Sequence, residues 1–140
     1  MKEQVPPQLV DQRIHNRIIE ELELLTSEKE QREYQQNVPI ADVFYELFEQ
    51  WDDSVLPDEP IQKFFHNPVY TEEEIQGIEY FDQKIDKIYN DIPEKNKVLD
   101  RFIGTAHWHE LRNEAEKLLL IFLRRGKMPE DELLEFGTEQ

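Results

Sequence analysis

The chain contains no cysteine in 140 residues, which excludes disulfides, thiol nucleophiles and thiolate metal sites. Its four glycines, Gly77, Gly104, Gly126 and Gly137, stand singly, so no glycine-rich loop is present to cradle a phosphate. Ser27 and Ser54 are the only serines, and neither lies in a Gly-x-Ser-x-Gly setting. Long hydrophobic runs are absent too. The longest, Leu118 to Leu123, has six residues against the ~20 needed to span a bilayer. The segment from Met1 to Pro7 has no apolar stretch of the kind a secretory signal requires. A cytoplasmic protein that does not engage membranes is the expectation.

Basic residues are missing from one region in particular. Between Asn37 and Pro93 fourteen Asp and Glu stand against three Lys and no Arg. The whole chain carries a net charge of −16, and that middle region accounts for −11 of it. Such a charge repels nucleic acid and anionic membranes and draws cationic partners over a Debye length. The aromatic share is 11%, with Trp51 and Trp108 among eight Phe and five Tyr, whereas disordered acidic chains are poor in aromatics. One folded domain over residues 1–140 is expected, with loose termini at 1–7 and 137–140.

The periodicity is helical nearly throughout. Pro7 suits a first helical turn, and Val10, Ile14, Ile18, Leu22 and Leu25 then step at three to four residues. Ser27 to Glu30 reads either as a capping box that restarts a helix or as the polar continuation of one long helix. From near Pro39 to about Asp53, Ile40, Val43, Phe44, Leu47, Phe48 and Trp51 form one apolar face. Pro57, Pro60 and Pro68 mark an irregular stretch, with Phe64 and Phe65 as its anchor. Thr71 to Glu74 is a capping box that opens a helix bearing Ile75, Ile78, Phe81, Ile85, Ile88 and Ile92, ended by Pro93. Val98, Leu99, Phe102 and Ile103 suggest a short helix closed by Gly104. Thr105 then caps a helix to Arg125, with Gly126 as its stop and Arg124, Arg125 and Lys127 complementing its dipole. Leu118 to Leu123 is apolar on every side, the pattern of a central core helix. Pro129 to Phe136 is either a short helix or a docked tail. With no strand-period segment and no internal repeat, the reading is all-α: a single-domain irregular bundle of about five to six helices.

On the 39–53 helix, Asp42, Glu46, Glu49 and Asp53 are spaced four, three and four apart, opposite the apolar face. Like charges at this spacing cost roughly 0.2–0.5 kcal/mol per pair, and no Lys or Arg relieves them. Tyr45 stands beside the acids, outside the apolar arc, and Tyr is enriched at interface hot spots. Glu72, Glu79, Asp82 and Asp86 lie along one flank of the next helix. Adjacency of the two helices, inferred from chain order, would merge them into one negative patch. The simplest account of such faces is solubility.

Catalytic and metal readings are weak by comparison. His107 and His109 have strand-type ligand spacing on a helix, where i and i+2 diverge. Neither the Glu-x-x-His nor the His-Glu-x-x-His signature is present, and His15 and His66 read as surface or helix-end residues. Carboxylates are so abundant that a catalytic pair carries little information. No metal, cofactor or catalytic residue is therefore assigned. The functional expectation is a non-enzymatic acidic interaction module for a basic protein, of an inhibitor or immunity type. Its contact residues are Asp42, Tyr45, Glu46, Glu49, Asp53, Glu72, Glu79, Asp82 and Asp86. The alternatives are a self-associating structural protein, in which a leftover apolar face forms a homodimer, and an inhibitor whose carboxylates imitate the DNA phosphate ladder. A helical hydrolase ranks behind both, and direct nucleic-acid binding is not expected.

Overall fold

A computed structural model describes residues 5–55, 65 and 68–136. Six α-helices and no strand are found among them. The first helix, α1 (Pro7–Thr26), places Pro7 in its first turn, where the missing N–H costs nothing. Ser27 then settles the choice left open by the sequence. Its backbone is extended (φ −120°, ψ 105°), and its hydroxyl accepts from the Glu30 N–H at 3.1 Å. A separate helix, α2 (Glu28–Asn37), therefore begins there.

The acidic helix α3 (Val43–Val55) starts later than Pro39. Asp42 acts as its N-terminal cap, with its carboxylate accepting from the Tyr45 N–H at 3.3 Å. Ile40 consequently precedes the helix and is 97% exposed, not part of the apolar face. Helix α4 (Glu72–Asp91) opens on the full capping box: Thr71 Oγ1 accepts from the Glu74 N–H, and Glu74 Oε1 from the Thr71 N–H. A 3₁₀ turn (Glu94–Asn96) and the short α5 (Leu99–Phe102) follow. Gly104 makes the turn at φ +92°, a left-handed conformation that favours glycine. Thr105 caps α6 (Ala106–Leu123) through the Trp108 N–H.

Helix α6 packs against α1 and α4, and α3 packs against α1 and, less extensively, α4. Trp51 and Phe81 meet edge to face at 4.7 Å between the last two, while Phe44, Phe48, Tyr89 and Phe102 form an aromatic cluster beside α5. The continuous apolar run of α6 is not enclosed on all sides. Leu118 and Phe122 are buried, but Leu120 and Leu123 face outward, so α6 is a flanking helix with one solvent face. On α1 the buried residue near the start is Leu9, and Val10 is exposed. Phe65 is a core residue; Phe64, Pro57, Pro60 and His66 lie outside the described residues, as do 137–140.

The segment after α6 is a docked tail without helix, and polar side chains hold it. Gln8, Gln12 and Asn16, spaced at i, i+4 and i+8, form a polar row on α1. Asn16 bonds the Met128 backbone reciprocally at 2.7 Å in both directions. Gln12 donates to the Pro129 and Glu132 carbonyls and accepts from the Leu134 N–H. Gln8 donates to the Leu134 carbonyl. The row thus satisfies backbone groups that would otherwise lose water on docking.

Trp51 joins the fold to its acidic face. The side chain is buried, and its indole Nε1–H donates to Asp82 at 2.9 Å. Trp51→Phe keeps an aromatic ring but removes that bond and part of the ring volume. We expect a loss of about 2 kcal/mol in urea unfolding; a loss below about 0.5 kcal/mol would show that the site repacks.

Candidate functional site: an acidic groove between two helices

Two turns of α3 carry Tyr45, Phe48 and Asp52 along the side that meets α4, because residues at i, i+3 and i+7 share a helix face. From α4, Ile85, Asp86 and Tyr89 meet them, and the six residues line a groove of about 130 Å³. Its floor is apolar and aromatic: Phe48 and Tyr89 stand edge to face at 4.9 Å. Its rim is acidic. Partial burial raises the Asp52 carboxyl above its ordinary value, and the surrounding Asp82, Glu49, Asp86 and Asp53 raise it further. The acids of both helices therefore act on one point.

The neighbouring Glu49 carboxylate raises the Tyr45 phenol above its ordinary value, and the exposed Tyr45 ring lines the groove. Lys97 lies over the Tyr89 ring, 4.5 Å from its centroid, and is itself paired with Glu94 at 3.1 Å. Among the described residues, Glu49, Asp52, Asp53 and Asp86 form no ion pair.

The residues singled out in the sequence do not all meet here. Tyr45 and Asp86 line the groove, and Glu49, Asp53 and Asp82 surround Asp52. Asp82 is also committed to Trp51. Glu46 instead acts on Glu21 of α1, and Asp53 lines a second cavity on that side of α3. Asp42 is a cap, while Glu72 and Glu79 are exposed on α4 and do not line the groove. Sequence reasoning passed over Asp52, although its place two turns after Tyr45 was a usable signal.

A second polar cluster joins α1, α4 and the segment after α6. His15 is fully buried, not a surface residue, and its Nε2 lies 3.2 Å from Glu74 Oε2. Glu74 Oε1 accepts from Arg125 Nη2 at 2.6 Å and from the Thr71 N–H at 3.0 Å. Burial alone raises the Glu74 carboxyl; the donors His15, Arg125 and Thr71 together outweigh it and hold the group below its ordinary value. Arg125 also donates to the Val69 carbonyl, Arg124 pairs with Glu73, and Lys127 pairs with Glu20 at 3.0 Å. These three cations reach across to other helices, beyond any dipole role. With His15 fully enclosed between the Tyr70 and Phe122 rings, the cluster is built as a structural tie.

Among the described residues, no group of three or more His, Asp and Glu side chains is arranged to hold a metal ion. On α6, His109 is exposed and His107 half-buried, on diverging faces. No helix among the described residues is long and apolar enough to cross a membrane. Comparison with known proteins found no matching family model, curated sequence or solved structure.

Proposed function

We propose that this chain is a non-enzymatic acidic interaction module that binds a basic protein partner through the α3–α4 groove. The observation that carries the reading is the crowding of unpaired carboxylates from two helices around Asp52. A surface serving solubility alone gains nothing from concentrating like charge, since dispersed acids solubilise equally well at less repulsion. A cationic partner relieves that repulsion. The aromatic floor and Tyr45 add the kind of amphipathic anchor found at interface hot spots. Lys97 over Tyr89 is the chain's own instance of a cation seated against that wall. An inhibitor or immunity-type role follows by class, because neutralising a basic protein requires this charge and no catalysis.

The test is kinetic. A partner captured from the native source at low salt is to be measured against wild type and against a Glu49→Lys, Asp52→Lys, Asp86→Lys variant. Charge reversal in the groove is expected to slow association at least about tenfold at low ionic strength, with the difference shrinking as salt rises. Unchanged association rates would remove the groove from the interface. A folded variant, verified by circular dichroism, keeps the comparison meaningful.

A further inference from the structure

On the other side of α3, facing α1, Arg17, Glu20, Glu21, Gln50, Asp53 and Ser54 line an open cleft of about 260 Å³, in which Arg17, Glu20 and Asp53 are exposed and Glu21 is buried. Glu21 forms part of its wall. It is only 4% exposed, and its Oε1 is buried with no hydrogen-bond partner. A buried carboxyl oxygen without a donor is a costly arrangement unless something else supplies the donor. We propose that this cavity binds a protonated alkylamine, with Glu21 as its counter-ion.

The wall chemistry selects the ligand. An ammonium group carries three donors and no acceptor. Glu21 offers an oxygen for one, and Asp53, the Ser54 hydroxyl and the Gln50 amide oxygen offer acceptors for the rest. Scattered single acceptors suit a compact ammonium better than a planar guanidinium, which needs a matched fork. The space fits as well: a four-carbon amine has five heavy atoms, roughly five waters' volume or about 150 Å³. Glu20 is less available, being paired with Lys127. Arg17, one turn before Glu21, is the internal competitor. Among the described residues its guanidinium makes no ion pair, although it lines the same cavity.

Charge and protons must balance on binding. Glu21 faces Glu46 and Asp53 from α3, and Arg17 and Glu20 from its own helix. Burial, with the Glu46 carboxylate, pushes Glu21 up to about 8, so the acid is mostly protonated at pH 7. An arriving ammonium stabilises the carboxylate, and the Glu21 proton passes to buffer. Binding therefore releases a proton and tightens as pH rises from 6 towards 8. This inference does not depend on the α3–α4 groove, which lies on the opposite side of α3.

Titration calorimetry with butylammonium chloride tests it, at pH 7 and fixed ionic strength in two buffers of different ionisation enthalpy. Saturable one-to-one binding with release approaching one proton is expected. Glu21→Gln should weaken it at least about tenfold and abolish proton release, whereas Arg17→Ala, which removes the competing cation, should tighten it. Tetramethylammonium matches the charge but has no N–H donor, so it should not bind. Equal heats from tetramethylammonium would reduce the effect to screening of an acidic protein, and unchanged affinity in Glu21→Gln would likewise overturn the assignment. Nα-acetyl-lysine amide and spermidine separate the sources: binding of the first identifies a protein lysine as occupant, and binding of spermidine alone a free polyamine. Circular dichroism shows whether each variant is folded.

Discussion

Replacing Glu74 by alanine is expected to cost about 3–5 kcal/mol of unfolding free energy at pH 7, the range for breaking a buried charged pair from one side. The carboxylate is the common acceptor for His15, Arg125 and the Thr71 N–H, and it is almost wholly buried. Its loss takes the carboxylate from His15 and Arg125, leaving Arg125 only the Val69 carbonyl, and removes the side-chain half of the α4 capping box, the bond from the Thr71 N–H. Glu74→Gln retains an acceptor oxygen while losing the charge, so it should fall between wild type and alanine. The effect has a defined pH dependence. A carboxyl held below its ordinary value contributes stability that is present above about 4.5 and lost as pH falls through its lower folded value. The gap between wild type and Glu74→Ala should therefore be widest near neutrality and narrow in acid. Urea unfolding at pH 7 and pH 3 measures both, and a neutral-pH gap under about 1 kcal/mol would show that Glu74 is not the tie.

Glu21 is expected to behave in the opposite sense. Its carboxyl is raised from 4.5 to about 8, so the folded protein binds a proton that the unfolded chain releases. Its contribution is intact below about 4.5, declines by about 1.4 kcal/mol per pH unit through the window, and levels off above 8. Glu21→Gln holds a neutral group of the same shape and has no such slope. We therefore expect the variant to match wild type near pH 4.5 and to exceed it by a few kcal/mol at pH 8. Parallel stability profiles for the two proteins from pH 5 to 8 would refute the raised carboxyl. The same substitution would then stabilise the fold while impairing amine binding, as expected where a site keeps an unsatisfied group for its ligand.

Much of the architecture was legible because it depends on near neighbours. Thr71 and Glu74 are three apart, and the reciprocal bonds of the capping box need nothing else. Thr105 acts over the same range, as does Ser27, although the sequence there fitted one continuous helix equally well. Errors arose where an apolar residue had to be assigned to a face. Ile40 fits the α3 period but precedes the cap formed by Asp42, and Leu120 and Leu123 continue an apolar run on a side that is exposed. Hydrophobicity alone does not place a residue inside when no partner element is there to meet it.

The candidate sites divide along the same line. The acidic character of α3 and α4 is written in composition and spacing, as is Tyr45 beside the acids. Which acids gather was not. Glu46 turns towards α1 and Asp52 becomes the centre of the groove because α3 lies between two helices and presents a different flank to each. Glu21 did carry a signal, standing three residues after Ile18 and four before Leu25 within the apolar stripe, but periodicity cannot tell a buried acid from one at the stripe's edge.

By itself, then, the sequence determined the helical class, the capped starts of α4 and α6, the lack of thiol or phosphate-loop chemistry, and the regional concentration of negative charge. These follow from backbone propensity, capping and counting, all of which act within a few residues. Only the tertiary structure decided that His15 and Glu74 share one buried bond, that Gln8, Gln12 and Asn16 hold the tail, and that Glu21 is left without a donor beside a cavity. Those outcomes depend on which groups from distant parts of the chain displace water from one another, and burial of a polar atom has no signature along the chain until its neighbours are in place.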